Sequence, residues 1–142
     1  MSEQQNVSLI QKMFDAFGRG DVQTILENCA VDCEFYCPGP TIIPYTGTKK
    51  GRAEIQTYFD AILGTQSNQD LRIDQIVAQG DTVVAIGLYK SSVKSTGKAI
   101  ESPVVLTFEV RDGTVRRHMS LGDTAAVAAS YTASAAAAGG YK

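Results

Sequence analysis

The stretch AIESPVVLTFEVRDGTVRRHMSL, residues 99–121, decides the fold. Runs with strand character flank Asp112-Gly113, and an Asp-Gly pair between such runs is a strong signal for a tight β-hairpin. We therefore predict a long strand over 99–111 and a returning antiparallel strand over 115–121. Most of the other predicted strands and helices precede this hairpin in the sequence.

More extended chain precedes the hairpin. The whole region 71–120 is predicted to be extended, with turns at Gly80-Asp81 and Ser95–Lys98. Further back, Cys33, Phe35 and Cys37 alternate with polar or half-polar neighbours, and that period of two indicates one more strand. The predicted strands are 33–37, a segment from Leu71, 83–92, 99–111 and 115–121. A loop through Pro44–Gly47 follows the first of them.

Helical periodicity fills most of the N-terminal half. Apolar residues recur at helical spacing over 7–18, and Asp21 is a good N-cap for a short second helix. A third helix is predicted over 52–63, and Asp123 can cap a final helical stretch over 124–131. This order predicts an α+β fold in which a curved, mostly antiparallel sheet wraps around three helices and encloses an apolar pocket. We expect a single domain over 1–131 and an Ala/Ser/Gly-rich tail over 132–142.

Composition excludes several classes of function. The 142 residues carry a net charge of −2, so there is no basic surplus to neutralise nucleic-acid phosphates. No apolar run approaches the ~20 residues that cross a bilayer, and no export signal is recognisable, so we expect a cytoplasmic protein without membrane contact. Cys29, Cys33 and Cys37 do not match usual zinc spacings, and the only histidine, His118, is distant. We predict buried thiols, no metal and no cofactor.

Several local strings, in this order and spacing, carry a resemblance to a known family. They are Phe14–Asp21, Pro44–Gly47, Gly51–Ile55, Gly80–Val84, Phe108–Gly113 and Asp123–Ala126. Over about 7–131 the chain resembles the nuclear transport factor 2-like superfamily, in particular its SnoaL-like, ketosteroid isomerase-related group. The resemblance implies a cone-shaped α+β barrel and a homodimer formed through the open face of the sheet. It says little about chemistry, because this fold hosts many activities.

The known catalytic patterns of the group do not transfer to this sequence. Where ketosteroid isomerases place a Tyr and two Asp, the matching residues are Met13, Cys37 and Leu106. Where limonene-epoxide hydrolases and polyketide cyclases place acidic and water-holding residues, this chain has other side chains. Those residues are Phe35, Cys37, Gly87, Tyr89 and Ser120. Neither a steroid-isomerase base nor an epoxide-hydrolase machinery is therefore supported.

The same matches predict which side chains face the pocket, and strand alternation makes each set consistent. The inward positions are Phe35, Cys37, Gly87, Tyr89, Ser91, Val104, Leu106, Phe108, His118 and Ser120. Met13, Phe17, Phe35, Tyr45, Tyr58, Val104, Leu106, Phe108 and Ser120 are predicted to bind the ligand. A mostly apolar wall with a few polar groups is typical of a small-molecule site.

Three inward residues are candidates for catalysis. His118 could act as a general acid or base, Tyr89 could donate a hydrogen bond to a carbonyl, and Cys37 could be a nucleophile if His118 lowered its pKa. Each also has a structural interpretation: a hydrogen-bonded core histidine, a half-buried strand aromatic and an inert wall cysteine. A one-residue register error would turn these side chains outward.

Three functions stay open at this point. The first is a cofactor-independent isomerase, cyclase or dehydratase that moves a proton on a small apolar, oxygenated molecule. The second is a non-catalytic protein that binds such a ligand. The third is a dimeric protein-interaction module, in which the pocket has no occupant.

Overall fold

The computed structural model describes residues 2–133, so most of the predicted 132–142 tail lies outside the described residues. The helices are α1 (Glu3–Gly18), α2 (Val22–Glu27), α3 (Gly51–Thr65) and α4 (Thr124–Tyr131). The strands are β1 (Cys29–Cys37), β2 (Gly47–Lys50), β3 (Gln66–Gln79), β4 (Thr82–Val93), β5 (Ala99–Arg111) and β6 (Thr114–Gly122). No described helix is both long and apolar enough to cross a membrane.

Side-chain caps mark the start of α1, α2 and α4, whereas the N-cap residue of α3, Lys50, makes no such hydrogen bond. Asp21 and Asp123 cap α2 and α4 as predicted, with their carboxylates accepting from the backbone N–H groups of Thr24 and Ala126. α1 starts four residues before the predicted position 7, because the side chains and backbones of Ser2 and Gln5 form a reciprocal capping box. The first turn of α1, residues 3–6, contains no apolar residue, so the sequence shows no helical periodicity there.

The sheet confirms the predicted α+β architecture. Its strand order is β2-β1-β6-β5-β4-β3, and β1 and β6 are parallel while all other neighbours are antiparallel. The sheet is curved and does not close, because β2 and β3 are its two edges. Helices α1 and α3 pack on its inner face and bury Ile10, Met13, Ile55 and Tyr58.

Three details of the strand prediction are wrong. β2 lies where the loop was predicted to end, because its backbone pairs with β1 from Cys37↔Gly47 to Glu34↔Lys50. β1 itself begins at Cys29 rather than Cys33, with a register shift that disturbs the alternation. β3 begins at Gln66 rather than 71, in a polar run whose extended form comes from pairing with β4.

A glycine lets β3 and β4 approach each other closely next to a register shift in β3. Gly87 faces Ile73 next to a register shift in β3, and a Cβ at this position would lie 2.0 Å from the carbonyl oxygen of Arg72. Only glycine allows the two backbones to approach this closely. Leu71 of β3, paired with Tyr89 of β4, lies near this contact and lines the space next to the helices.

Candidate functional site

A cavity of about 140 Å³ lies between the helices and the inner face of the sheet. All the residues predicted to bind the ligand or to take part in catalysis lie on its wall, whereas Gly87 and Ser91, which were also predicted to face the pocket, do not line it. The predicted residues on the wall are Met13, Phe17, Phe35, Cys37, Tyr45, Tyr58, Tyr89, Val104, Leu106, Phe108, His118 and Ser120. Among the described residues of this wall there is no Lys, Arg, Asp or Glu. The location of these residues is observed, and their part in binding or catalysis stays a prediction.

Strand pairing explains why these residues share one face. On β5 and β6 the partners Phe108↔His118 and Leu106↔Ser120 stand side by side. The parallel pair Phe35↔His118 extends the same row into β1. Because alternate residues of a strand face the same side, this register turns all five side chains inward.

His118 is held as a neutral imidazole. Its side chain is stacked on Phe108 with ring centroids 4.4 Å apart and meets the edge of Phe35 at 4.7 Å. Nδ1 lies 3.0 Å from the backbone carbonyl oxygen of Thr107, and because a carbonyl only accepts, Nδ1 carries the proton. Burial lowers the pKa of His118 to about 4. At neutral pH the ring therefore cannot act as a general acid.

The other ring nitrogen of His118 is left for a ligand. Nε2 is unprotonated in this tautomer and has no hydrogen-bond partner among residues 2–133. It can accept a hydrogen bond from a hydroxyl group in the cavity. As a base it is weak, since the same burial that keeps the ring neutral disfavours its protonated form.

Tyr89 is not the free donor that the sequence predicted. Its hydroxyl donates to Oε1 of Gln66 at 2.5 Å, so its one proton is already used inside the protein. Burial raises the pKa of Tyr89 to about 12. In this arrangement the proton is not available to a ligand carbonyl, and a catalytic role of Tyr89 stays a prediction.

Cys37 lacks the environment of a nucleophile. Burial raises the pKa of its thiol to about 11, so the reactive thiolate is scarce at neutral pH. The neutral ring of His118 supplies no positive charge to lower that pKa. Cys29 and Cys33 are likewise buried and free. Within residues 2–133, no three His, Cys, Asp or Glu side chains assemble as a metal site would require.

The sheet register separates two of the three catalytic candidates, His118 and Tyr89. On β5 the partner of His118 is Phe108, and the partner of Tyr89 is Ser102. Six residues of extended strand separate these partners, which is roughly 20 Å along the strand. Catalysis by a joint acid and base needs groups within hydrogen-bond reach of one substrate atom. The register thus separates His118 from Tyr89, whereas Cys37 lies only two residues beyond Phe35, the β1 partner of His118.

Sequence reasoning missed Gln66, the centre of the polar end of the cavity. The residue is 1% exposed, and its amide contacts the hydroxyls of Tyr45, Tyr89, Ser91 and Tyr131. No local pattern marks it, because it lies in a polar run after a helix and its partners are distant in sequence. Thr124 and Val127 of α4 were also missed as wall residues.

The sequence matches the model of one known protein family. The family model of the SnoaL-like domain matches residues 10–118, most of the chain. The chain belongs to the SnoaL-like family. The predicted resemblance is thereby confirmed, and the nuclear transport factor 2-like fold with it.

Solved structures agree with that assignment. This SnoaL-like chain is 30% identical to an NTF2-like protein of Burkholderia xenovorans, with 93% of this chain and 99% of that chain covered and a TM-score of 0.82. It shares its fold with TerC co-crystallized with polyporic acid (24% identity, 89% and 98% covered, TM-score 0.81). It also shares its fold with a protein of Xanthomonas campestris named as a candidate polyketide cyclase (22% identity, 92% and 98% covered, TM-score 0.79). None of the curated proteins searched matches the sequence.

Proposed function

We propose that this SnoaL-like protein binds a small, neutral, largely apolar molecule that carries oxygen. The observation that supports this proposal is the cavity itself, an aromatic enclosure whose described wall holds no charged side chain but does hold the unprotonated Nε2 of His118. Such a site favours apolar surface with one hydroxyl directed at that nitrogen. TerC, which has the same fold, was co-crystallized with an organic acid, and that agrees with a role in holding organic molecules.

Size and charge narrow the ligand class. An apolar cavity of about 150 Å³ holds benzene. The volume here, about 140 Å³, therefore suits a molecule of one ring unless the wall moves. A carboxylate would have to leave water with no cation to pair with it, which costs several kcal/mol. We expect one-ring phenols, alcohols and ketones to bind, and benzoate to be rejected.

The proposal can be tested by calorimetry and thermal unfolding with ethylbenzene, 4-ethylphenol and benzoate. A ligand at 100 times its Kd adds about 2.7 kcal/mol to stability, a rise in Tm on the order of 5–10 °C. We expect this rise with both neutral compounds and none with benzoate. Failure of both neutral compounds to bind the wild-type protein would overturn the proposal.

His118→Phe isolates the role of the ring nitrogen, because Phe keeps the aromatic shape. The variant should bind 4-ethylphenol roughly 2- to 13-fold more weakly, the effect of one neutral hydrogen bond, and bind ethylbenzene unchanged. Arg117→Ala is the matched control, since this exposed neighbour lies on the opposite face of β6. An unchanged affinity of His118→Phe for 4-ethylphenol would contradict the assignment of Nε2.

A proton-transfer enzyme, an isomerase, cyclase or dehydratase, is the second candidate. The free lone pair of His118 Nε2 favours it, as does the fold shared with the candidate cyclase of Xanthomonas campestris. Each compound that binds should then be incubated with the protein and followed by mass spectrometry and chiral chromatography. Turnover that falls roughly 10²–10⁴-fold in His118→Ala would support catalysis, and binding without conversion would favour the first candidate.

A further inference from the structure

The buried amide of Gln66 fixes the direction of several hydroxyl hydrogen bonds at the polar end of the cavity. Its Oε1 accepts from Tyr89 at 2.5 Å and from Ser91 at 2.8 Å. Its Nε2 donates to Tyr131 at 2.9 Å and to Tyr45 at 3.3 Å. Every hydrogen-bonding position of the amide side chain is thus used.

The hydroxyl of Tyr131 establishes which way the amide points. Thr65 donates its only hydroxyl proton to the backbone carbonyl of Ala61 at 2.6 Å. Tyr131 lies 2.7 Å from the same Thr65 oxygen, so Tyr131 must be the donor in that contact. With its proton used there, Tyr131 can only accept from Gln66, and the atom facing it is Nε2.

Tyr45 is the hydroxyl whose proton remains available. Its oxygen accepts from Gln66, and among the described residues no acceptor takes its own proton. The side chain is 9% exposed and lies on the cavity wall. Burial raises the pKa of Tyr45, so the proton stays on the oxygen at neutral pH.

The donor Tyr45 and the acceptor His118 lie at two ends of one aromatic wall. The ring of Tyr45 meets that of Tyr58 at 5.7 Å, Tyr58 meets Phe35 at 5.8 Å, and Phe35 meets His118 at 4.7 Å. The cavity therefore offers a hydrogen-bond donor and an acceptor at separate places on its wall.

We propose that Gln66 is a positioning residue that makes Tyr45 the hydrogen-bond donor of the cavity, so that the ligand is a one-ring ketone, ester or ether whose oxygen accepts from Tyr45. This inference rests on the proposed function and adds the polarity of the ligand.

Ethylbenzene and acetophenone test the donor, because they differ by a carbonyl oxygen at similar size. The Kd of each is measured by calorimetry in the wild-type protein and in Tyr45→Phe, so that the different hydration of the two ligands cancels between proteins. We expect Tyr45→Phe to weaken the binding of acetophenone roughly 2- to 13-fold and to leave the binding of ethylbenzene unchanged. If Tyr45 only shapes the cavity, Tyr45→Phe should weaken the binding of both ligands equally.

Gln66→Glu tests the positioning role. Because the proton of Tyr131 is used at Thr65, its oxygen can only accept from position 66. A protonated Glu at that position therefore donates its proton to Tyr131, and an ionised Glu has no proton to donate. In both states the oxygen facing Tyr45 accepts, and Tyr45 turns its proton away from the ligand. We expect the same selective loss of acetophenone binding as in Tyr45→Phe. Ser91→Ala is the matched control, because it removes a contact of the same amide on the side away from Tyr45.

The outcomes separate this inference from the proposed function. If both ligands bind the wild-type protein but Tyr45→Phe weakens both equally or neither, the ligand polarity is refuted and the proposed function stands. If Tyr45→Phe is selective but Gln66→Glu is not, the positioning role of Gln66 is refuted. If neither ligand nor 4-ethylphenol binds the wild-type protein, the proposed function itself fails and this inference fails with it.

Discussion

The neutral burial of His118 should make the stability of the protein depend on pH in a defined window. Burial lowers the pKa of this ring from 6.5 to about 4 in the folded state. Between these values the unfolded chain binds the proton and the folded chain does not, so the free energy of unfolding falls as the pH falls. Once the pH is below both pKa values, this ring has lowered the free energy of unfolding by about 3 kcal/mol.

Chemical denaturation at several pH values measures this effect. From about pH 7.5 to about pH 5 the wild-type protein should lose about 2 kcal/mol through His118 alone. His118→Phe removes the only histidine of the chain and keeps an aromatic ring, so the difference between the two proteins isolates that contribution. If the free energy of unfolding depends on pH in the same way in both proteins, the statement that His118 is buried and neutral is refuted. An NMR titration of its ring with a pKa near 6.5 would refute it too.

Three further predictions concern other parts of the molecule. Gly87→Ala should lower the free energy of unfolding by more than the 1–3 kcal/mol typical of overpacking, since its Cβ would meet backbone; near wild-type stability in urea would contradict the close approach. Cys37 should resist iodoacetamide at neutral pH in the folded protein and react on unfolding, and rapid labelling of the native thiol would contradict its raised pKa. The homodimer implied by family resemblance stays a prediction: Ile86 and Val105 are neighbouring, exposed outer-face residues, and Ile86→Lys should yield monomers in sedimentation, whereas a monomeric wild-type protein would exclude the dimer.

The inner wall of the sheet could be predicted from the sequence because strand alternation is a local property. Alternation places Leu106 and Phe108 on one face of β5. His118 joins them only through a register shift between Glu109 and Val110, and regular pairing from the Asp112-Gly113 turn would have placed Arg117 opposite Phe108. Cap residues such as Asp21 were also recognisable, since a cap acts within one helical turn.

Features that depend on distant partners could not be predicted in this way. β2 is a strand only because β1 supplies its backbone partners, and its own sequence has no alternation. The proton of Tyr89 is committed to Gln66, which is 23 positions away in the sequence. The direction of a hydroxyl proton depends on a whole network of donors and acceptors, so neither residue type nor spacing reveals it.

The passage from α3 into β3 has a consequence for which changes of chain length the cavity can accept. The helix ends at Thr65 and the strand begins at Gln66, with no connecting loop, and both residues hold Tyr131. An inserted or deleted residue at this junction would rotate one partner away from the other, and no slack exists to absorb it. The loop before β2 ends on the same network, because it carries Tyr45, whose hydroxyl accepts from Gln66. Changes of chain length before β2 or after α3 would therefore both alter the hydrogen-bonding end of the cavity.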